Sequence, residues 1–406
     1  MCCLGIVSVP SSYIFVCHPL FGSCFQNAEN PVLYRKVYSK VESMRWLKIC
    51  SAFIAGAVAI PRPVLLDCDP GGDDVFAIML LCSAHRRKVI DLVGVTTAAG
   101  NHDDPNNVYR VAYLSLQFWG CGDVPVSKGE SPGQRESDGF FGADGLWGLS
   151  SLLGDCSNGA CGEDRAPRSA DTIAKQIKFH QQELVIVATG PLTNLALAER
   201  NDPGVLSRAR EVVIMGGAVA HEGNAAHSSE YNIWFDGPSS RVVFLEANIK
   251  NFVIFPLDAT QHILFGRDHI TNIIRSVGNT TKMEFLDKLW AKGAYNCFMH
   301  GENSDSVMVH DIAPVLYLFY PSIFTFNRLL VNVDNDGRTW ADLRLKPDAL
   351  VHPVTKRQIS ANAWVAVQVD SAKALLLASK DLAGLITDLA DEPVQSNFSA
   401  LKHAEL

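Results

Sequence analysis

Four aspartates crowd the ten-residue stretch LLDCDPGGDD that begins at Leu65. Asp67, Asp69, Asp73 and Asp74 stand where an apolar run gives way to an amphipathic helical pattern, DDVFAIMLL, with Pro70-Gly71-Gly72 as the turn between them. A helix N-terminus tolerates negative charge, so capping accounts for Asp73 or Asp74. It does not account for all four. Converging carboxylates repel and raise one another's pKa unless a cation sits among them. Carboxylate and carbonyl oxygens suit Ca²⁺ or Mg²⁺, and the Cys and His spacing of a zinc site is missing from the stretch. The expectation is therefore an all-oxygen site for a divalent cation.

The elements that would position such a site follow from hydrophobic patterning. VLLDCD, VIDLVGVTTAAG, ELVIVATG and EVVIMGG read as buried strands, and DVFAIMLLCSA, PNNVYRVAYLSLQFW and PLTNLALAER as the helices between them. This alternation predicts βαβ units in an α/β fold, a single domain with a mostly parallel central sheet flanked by helices. In such sheets ligands lie at the carboxyl ends of the strands, where this sequence concentrates its polar and Gly-rich residues. The segment from Gly129 to Arg168 is long and Gly-rich, and loops of that length are either functional or disordered. LLVNVDNDGRTWADLRL reads as a hairpin about Asn335-Asp336-Gly337, since Leu343 stands where a calcium loop would need its Glu.

Composition narrows the partners. With 406 residues, 48% hydrophobic and 19% charged, and a formal charge of −8, the chain can bury a large core but lacks the basic balance of a nucleic-acid binder. MRWLKICSAFIAGAVAIPRP, from Met44 to Pro63, has the basic start, apolar run and small-residue end of a signal peptide covering about residues 44–59. We expect translation to begin at Met44, residues 1–60 to be a leader outside the fold, the catalytic domain to occupy 64–406, and the mature protein to be secreted with no stable membrane span, a cytoplasmic location being the alternative. The sequons at Asn279 and Asn397 are compatible with secretion. Cys156 and Cys161, in the loop DCSNGACGED, suggest a local disulfide, whereas Cys68 and Cys82 flank apolar runs and read as buried thiols.

No GxxxxGK[ST] loop follows a strand and no GxGxxG opens a helix, which leaves phosphate-binding readings without support. The strand ends offer Asn101, Asn224, Glu230, Asn232 and Asp311 instead, groups suited to the hydroxyls of a sugar. DCDPGGDD from Asp67, TTAAGN ending at Asn101, ATGPLTN from Ala188, VIMGGAV from Val213, GNAAHSSEYNIWFD from Gly223 and VHDIAP from Val309 together resemble the nucleoside hydrolase family of inosine-uridine type, in the family's order and over roughly Val64 to Asp370. The resemblance implies a Rossmann-like α/β domain with Ca²⁺ at the pocket floor and a ribonucleoside as substrate.

Carried over by position, the resemblance implies that Asp69, Asp74, Asp311 and the backbone carbonyl of Thr189 bind the metal and that Asp69 is the general base, with Asn101 also in the catalytic group. Asp73, Asn101, Met215, Asn224, Glu230 and Asn232 match substrate-binding positions, and Asp67 would support the cluster from behind. His310 matches the histidine that protonates the leaving base; a lone histidine at a helix start is otherwise satisfied by backbone, and its place beside Asp311 favours the proton-transfer role. Two features depart from the family pattern. Phe141, in DGFFGADGLWG, stands where members often carry His, so stacking on the base is expected there. The Cys156–Cys161 loop is an insertion. Tyr295 and Phe298, at helical spacing, are read as core, with a place at the mouth of the site as the alternative. Family members assemble as dimers or tetramers, so a homodimer or homotetramer is implied. Two other classes fit less well: a phosphohydrolase using Asp67 and Asp69, which lacks phosphate-gripping groups, and a secreted nucleoside-binding protein, which would need neither Asp69 nor His310.

Overall fold

The computed structural model describes residues 4–9, 12–17, 61–133, 135–278, 280–299, 305–341 and 361–390. The chain forms two compact units, Met1–Ile60 and Pro61–Leu406. In the first, Leu4–Val9 pairs antiparallel with Ser12–Cys17. The sequence shows no strand period there, because LGIVSV and SYIFVC place apolar residues side by side instead of alternating them with polar ones. The Met44 leader and the asparagines of both glycosylation sequons fall outside the described residues.

The second unit is built on an eight-stranded sheet. Its strands are β1 (Arg62–Cys68), β2 (Ile90–Thr97), β3 (Val126–Ser127), β4 (Val185–Ala188), β5 (Glu211–Met215), β6 (Phe252–Phe255), β7 (Phe324–Leu329) and β8 (Ala363–Val369). Their spatial order is β7-β8-β6-β5-β4-β1-β2-β3. All pairings are parallel except β7 with β8. The mostly parallel α/β sheet expected from the sequence is thus present. Its inner strands are apolar without alternation because helices cover both faces. Among the longer helices are α2 (Pro105–Phe118), α3 (Ser169–His180), α4 (Thr193–Asn201) and α6 (Arg267–Val277).

Chain order reverses between β1 and β4, and such a switch point opens a crevice at the carboxyl ends of the strands. LLDCDPGGDD leaves β1 at that crevice, and Thr189 follows β4 there.

Helix α1 (Gly72–Arg86) starts directly after the turn, with Asp73 and Asp74 in its first turn and His85 and Arg86 in its last. Both ends complement the helix dipole. The Asp74 carboxylate accepts the Gly71 N–H at 3.1 Å, satisfying one of the helix's orphan donors. The amphipathic reading of this helix is corrected by the structure: residues 74–85 are buried on every side. The outer face is covered by α8 (Ile312–Phe319) and α9 (Ser371–Ala390), and Ser83 donates its hydroxyl to the Asp381 carbonyl. Each buried large side chain, such as Phe76, Ile78, Met79 or Leu81, contributes about 1.5–3 kcal/mol. The helix that carries the aspartates is therefore firmly anchored.

Asn332–Val333 pairs with Thr339–Trp340 in the hairpin expected about Asn335-Asp336-Gly337. Cys156 and Cys161 are joined, and Cys68 and Cys82 are buried thiols. No helix among the described residues is long and apolar enough to cross a membrane.

Candidate active site

A cavity of about 510 Å³ lies over the switch point. Asp69, Asp73, Asn101, Phe141, Thr189, Met215, Asn224, Glu230, Asn232, His310 and Asp311 all line it. Asp74 is fully buried behind them. The residues singled out from the sequence therefore converge on one place, though they come from six different strand ends and loops.

The floor is acidic. Carboxylate oxygens of Asp73, Asp74 and Asp311 lie within 4.8 Å of one another. Burial pushes the Asp74 carboxyl up to about 7, with the Asp73 charge adding to the rise. Asp69 and Asp311 are driven well above the usual carboxylate range by burial first and by their acidic neighbours second. Asp73 is raised by burial as well, an effect that His310 opposes. The four groups would have to hold protons or share a cation to occupy this space. An all-oxygen, multiply anionic donor set fits a hard divalent cation.

The grouping differs from the sequence reading in one respect. Asp69 was assigned to the cation and Asp73 to the sugar, yet the tightest carboxylate set contains Asp73 and not Asp69. Position on α1 is the reason: Asp73 and Asp74 share the helix's first turn, whereas Asp69 is drawn toward the loops after β2 and β4. Its Oδ2 accepts the Asn101 N–H at 2.8 Å, and Asn101 Nδ2 donates to its backbone carbonyl at 2.7 Å. Gly100 and Gly190 press against the same carboxylate. A Cβ on Gly190 would stand 2.6 Å from Asp69 Oδ1, and one on Gly100 would overlap Oδ2. Asp67 sits behind, buried, with Oδ1 accepting Thr96 Oγ1 at 2.6 Å and Asn194 Nδ2 at 2.8 Å.

Thr189 ties the floor to the wall. Its hydroxyl donates to Asp74 at 2.7 Å, while its carbonyl accepts Asn232 Nδ2 at 2.7 Å and keeps a second lone pair. Glu230 caps the short helix α5 (Tyr231–Phe235): Oε1 accepts the Asn232 N–H at 2.8 Å, and Oε2 accepts those of Gly217 and Ile233 at 3.0 and 3.2 Å. Three of about four acceptor sites on that carboxylate are filled, which leaves room for one hydroxyl. Asn224 Oδ1 accepts the Tyr231 N–H. His310 Nδ1 lies 2.9 Å from the hydroxyl of buried Thr260, which fixes the ring.

Several lining residues escaped the sequence reading: Phe140, Trp147, Tyr231, Cys297 and Met308. Tyr231 had a signal, since it sits between Glu230 and Asn232; its hydroxyl donates to the Gly100 carbonyl at 3.1 Å. Tyr295 was read as core and is corrected by the structure: it is 59% exposed, because the buried face of α7 (Thr281–Met299) runs through Trp290, Ala294 and Cys297 instead. The Phe298 side chain lies outside the described ones.

Sheet and cavity together define an α/β enzyme that takes a small polar ligand at the carboxyl edge of parallel strands. A family model described as inosine-uridine preferring nucleoside hydrolase matches residues 64–375. An inosine-uridine preferring nucleoside hydrolase of Leishmania major is 31% identical over 282 residues, covering 68% of this chain and 85% of that protein. Probable uridine nucleosidase 2 of Arabidopsis thaliana is 27% identical over 322 residues, covering 78% and 95%. Among solved structures, a plant nucleoside hydrolase superposes with a TM-score of 0.68 at 26% identity, covering 80% of this chain and 99% of that one. The chain belongs to the inosine-uridine preferring nucleoside hydrolase family, enzymes that hydrolyse the N-glycosidic bond of ribonucleosides.

The clamp on Asp69 is directly testable. Gly190→Ala should displace that carboxylate and lower kcat on a nucleoside by about 10²-fold, with the circular dichroism spectrum unchanged. Full turnover by this variant would show that the close approach has no bearing on the chemistry.

Proposed function

We propose that this enzyme hydrolyses purine and pyrimidine ribonucleosides to ribose and free base, with Ca²⁺ as its metal and Asp69 and His310 as its base and acid. The observation that carries the reading is the buried floor of Asp69, Asp73, Asp74 and Asp311 beneath amide-lined walls. Asp74, Asp311 and Asp73 or Asp69, with the carbonyl of Thr189, would hold the cation. Bound there, it would neutralise the floor and lower the pKa of a coordinated water.

The side chains divide the remaining work. Asp69, oriented by the Asn101 N–H, accepts the proton of the attacking water. Asp73, Asn101, Asn224, Glu230 and Asn232 orient the ribose through its hydroxyls. Positive charge that develops at C1′ as the bond to the base breaks is favoured by the surrounding carboxylates. His310, held through Nδ1 by Thr260, delivers a proton from its other ring nitrogen to the departing base. The aromatic ring of Phe141 meets the base by stacking. Secretion is proposed from the leader, and the Cys156–Cys161 disulfide supports it, since such bonds persist in oxidising compartments. Assembly as a homodimer or homotetramer is proposed from the family alone.

Incubation with inosine, uridine, adenosine, guanosine and cytidine should release base and reducing sugar, and a chelator should abolish release until Ca²⁺ is restored. Folded protein that binds nucleosides yet releases no base would establish a binding protein instead. For His310→Ala, turnover of inosine or uridine should fall on the order of 10²-fold or more, while a riboside with an activated leaving group is much less affected. Equal losses on both substrates would remove His310 from proton transfer.

A further inference from the structure

The Pro70-Gly71-Gly72 turn has tandem glycines that its backbone does not require. Gly71 has φ −106°, and Gly72 opens α1. Glycine weakens a helix, so another requirement must favour it here. That requirement is space. A Cβ on Gly71 would stand 2.6 Å from Cζ of Phe141, and one on Gly72 would overlap the indole of Trp147. Each glycine is the seat of one aromatic ring.

The two rings form a unit. Phe141 and Trp147 have centroids 4.8 Å apart, and Phe140 meets both edge-on at 5.0 and 5.9 Å. The indole N–H donates to the Phe140 carbonyl at 2.9 Å, and the Trp147 backbone N–H donates to the Phe141 carbonyl at 2.6 Å. Trp147 also has φ +55°, a left-handed backbone that a bulky residue adopts only where its surroundings over-determine it. Those surroundings include Gly293 of α7, whose Cβ position lies 3.2 Å from the indole. The same point above Gly71 that is filled by Phe141 lies 2.8 Å from Asn101 Nδ2, which places the ring beside a residue that holds Asp69.

We propose that Trp147 is a positioning residue for the leaving group: seated on Gly72, it fixes Phe141 over Gly71 at the angle at which the face of the base is met. The proposal rests on the reading of the cavity as a nucleoside site with Phe141 against the base. Trp147 also borders the cavity, and its positioning role acts through the ring it holds.

The test compares KM for inosine and uridine with competitive inhibition by ribose, which fills the sugar end alone, in the wild type, Trp147→Gly, Gly72→Ala and the double variant. Trp147→Gly removes the indole and relieves the left-handed backbone; Gly72→Ala leaves the indole in place and obstructs its seat. Each should raise KM roughly 5- to 10-fold while ribose inhibition moves less than about 2-fold, and Trp147→Phe should recover most of the loss. Adding Gly72→Ala to Trp147→Gly should cost nothing further, because the ring the methyl would meet is gone. Parallel losses in nucleoside KM and ribose inhibition, or an equal cost of Gly72→Ala in both backgrounds, would overturn the positioning role. Absence of wild-type turnover would overturn the nucleoside reading itself, and the proposal with it.

Discussion

Four carboxylates are packed where burial first and their own crowding second make ionisation costly, and that cost governs the rest of the site. Asp69, Asp73, Asp74 and Asp311 cannot all be charged in a buried crevice unless positive charge joins them. The pressure is useful when the partner is a cation and the bond to be broken leaves positive charge on a sugar ring. The same crowding would expel a polyanion. A neutral ribonucleoside is the kind of molecule that such a floor admits.

Holding this repulsive set together falls to elements far apart in sequence. The switch point between β1 and β4 brings LLDCDPGGDD against Thr189, whose hydroxyl reaches Asp74 and whose carbonyl accepts Asn232. Asp311 arrives at the start of α8, more than two hundred residues after Asp69. Buried α1 provides the rigidity: its first turn carries Asp73 and Asp74, and its seat carries the aromatic loop. The glycines around the floor are matters of clearance. Gly100 and Gly190 let backbone approach Asp69, as Gly71 and Gly72 let rings approach α1.

Much of this was legible from residue types and order. Strands buried on both faces announced themselves as unbroken apolar runs, and the polar groups at their ends proved to line one cavity. What escaped depends on contacts that no short window contains. The outer face of α1 is apolar because α9, nearly three hundred residues later, covers it. The tandem glycines read as a turn because the rings they accommodate arrive from Phe141 and Trp147. Glu230 was read as a sugar-binding group from the resemblance, whereas its capping of α5 required the fold of the loop around it. Tyr295 was misplaced because a helix face cannot be chosen from one aromatic pair when Trp290 and Cys297 define another. The resemblance assigned Asp73 to the sugar and Asp74 to the cation; that the two carboxylates lie close together beside Asp311 is visible only in the fold.

Calorimetric titration of metal-free protein with Ca²⁺ at pH 6 tests most directly whether the acidic floor is one cation site. Because Asp74 is raised to about 7 and its neighbours are also raised, the metal-free floor holds protons at that pH that the ion must displace. One ion per chain should bind, with proton release visible as a dependence of the heat on buffer ionisation, and Asp74→Asn should abolish the site. Absence of binding, or binding that releases no protons and survives Asp74→Asn, would contradict a cation site on this floor.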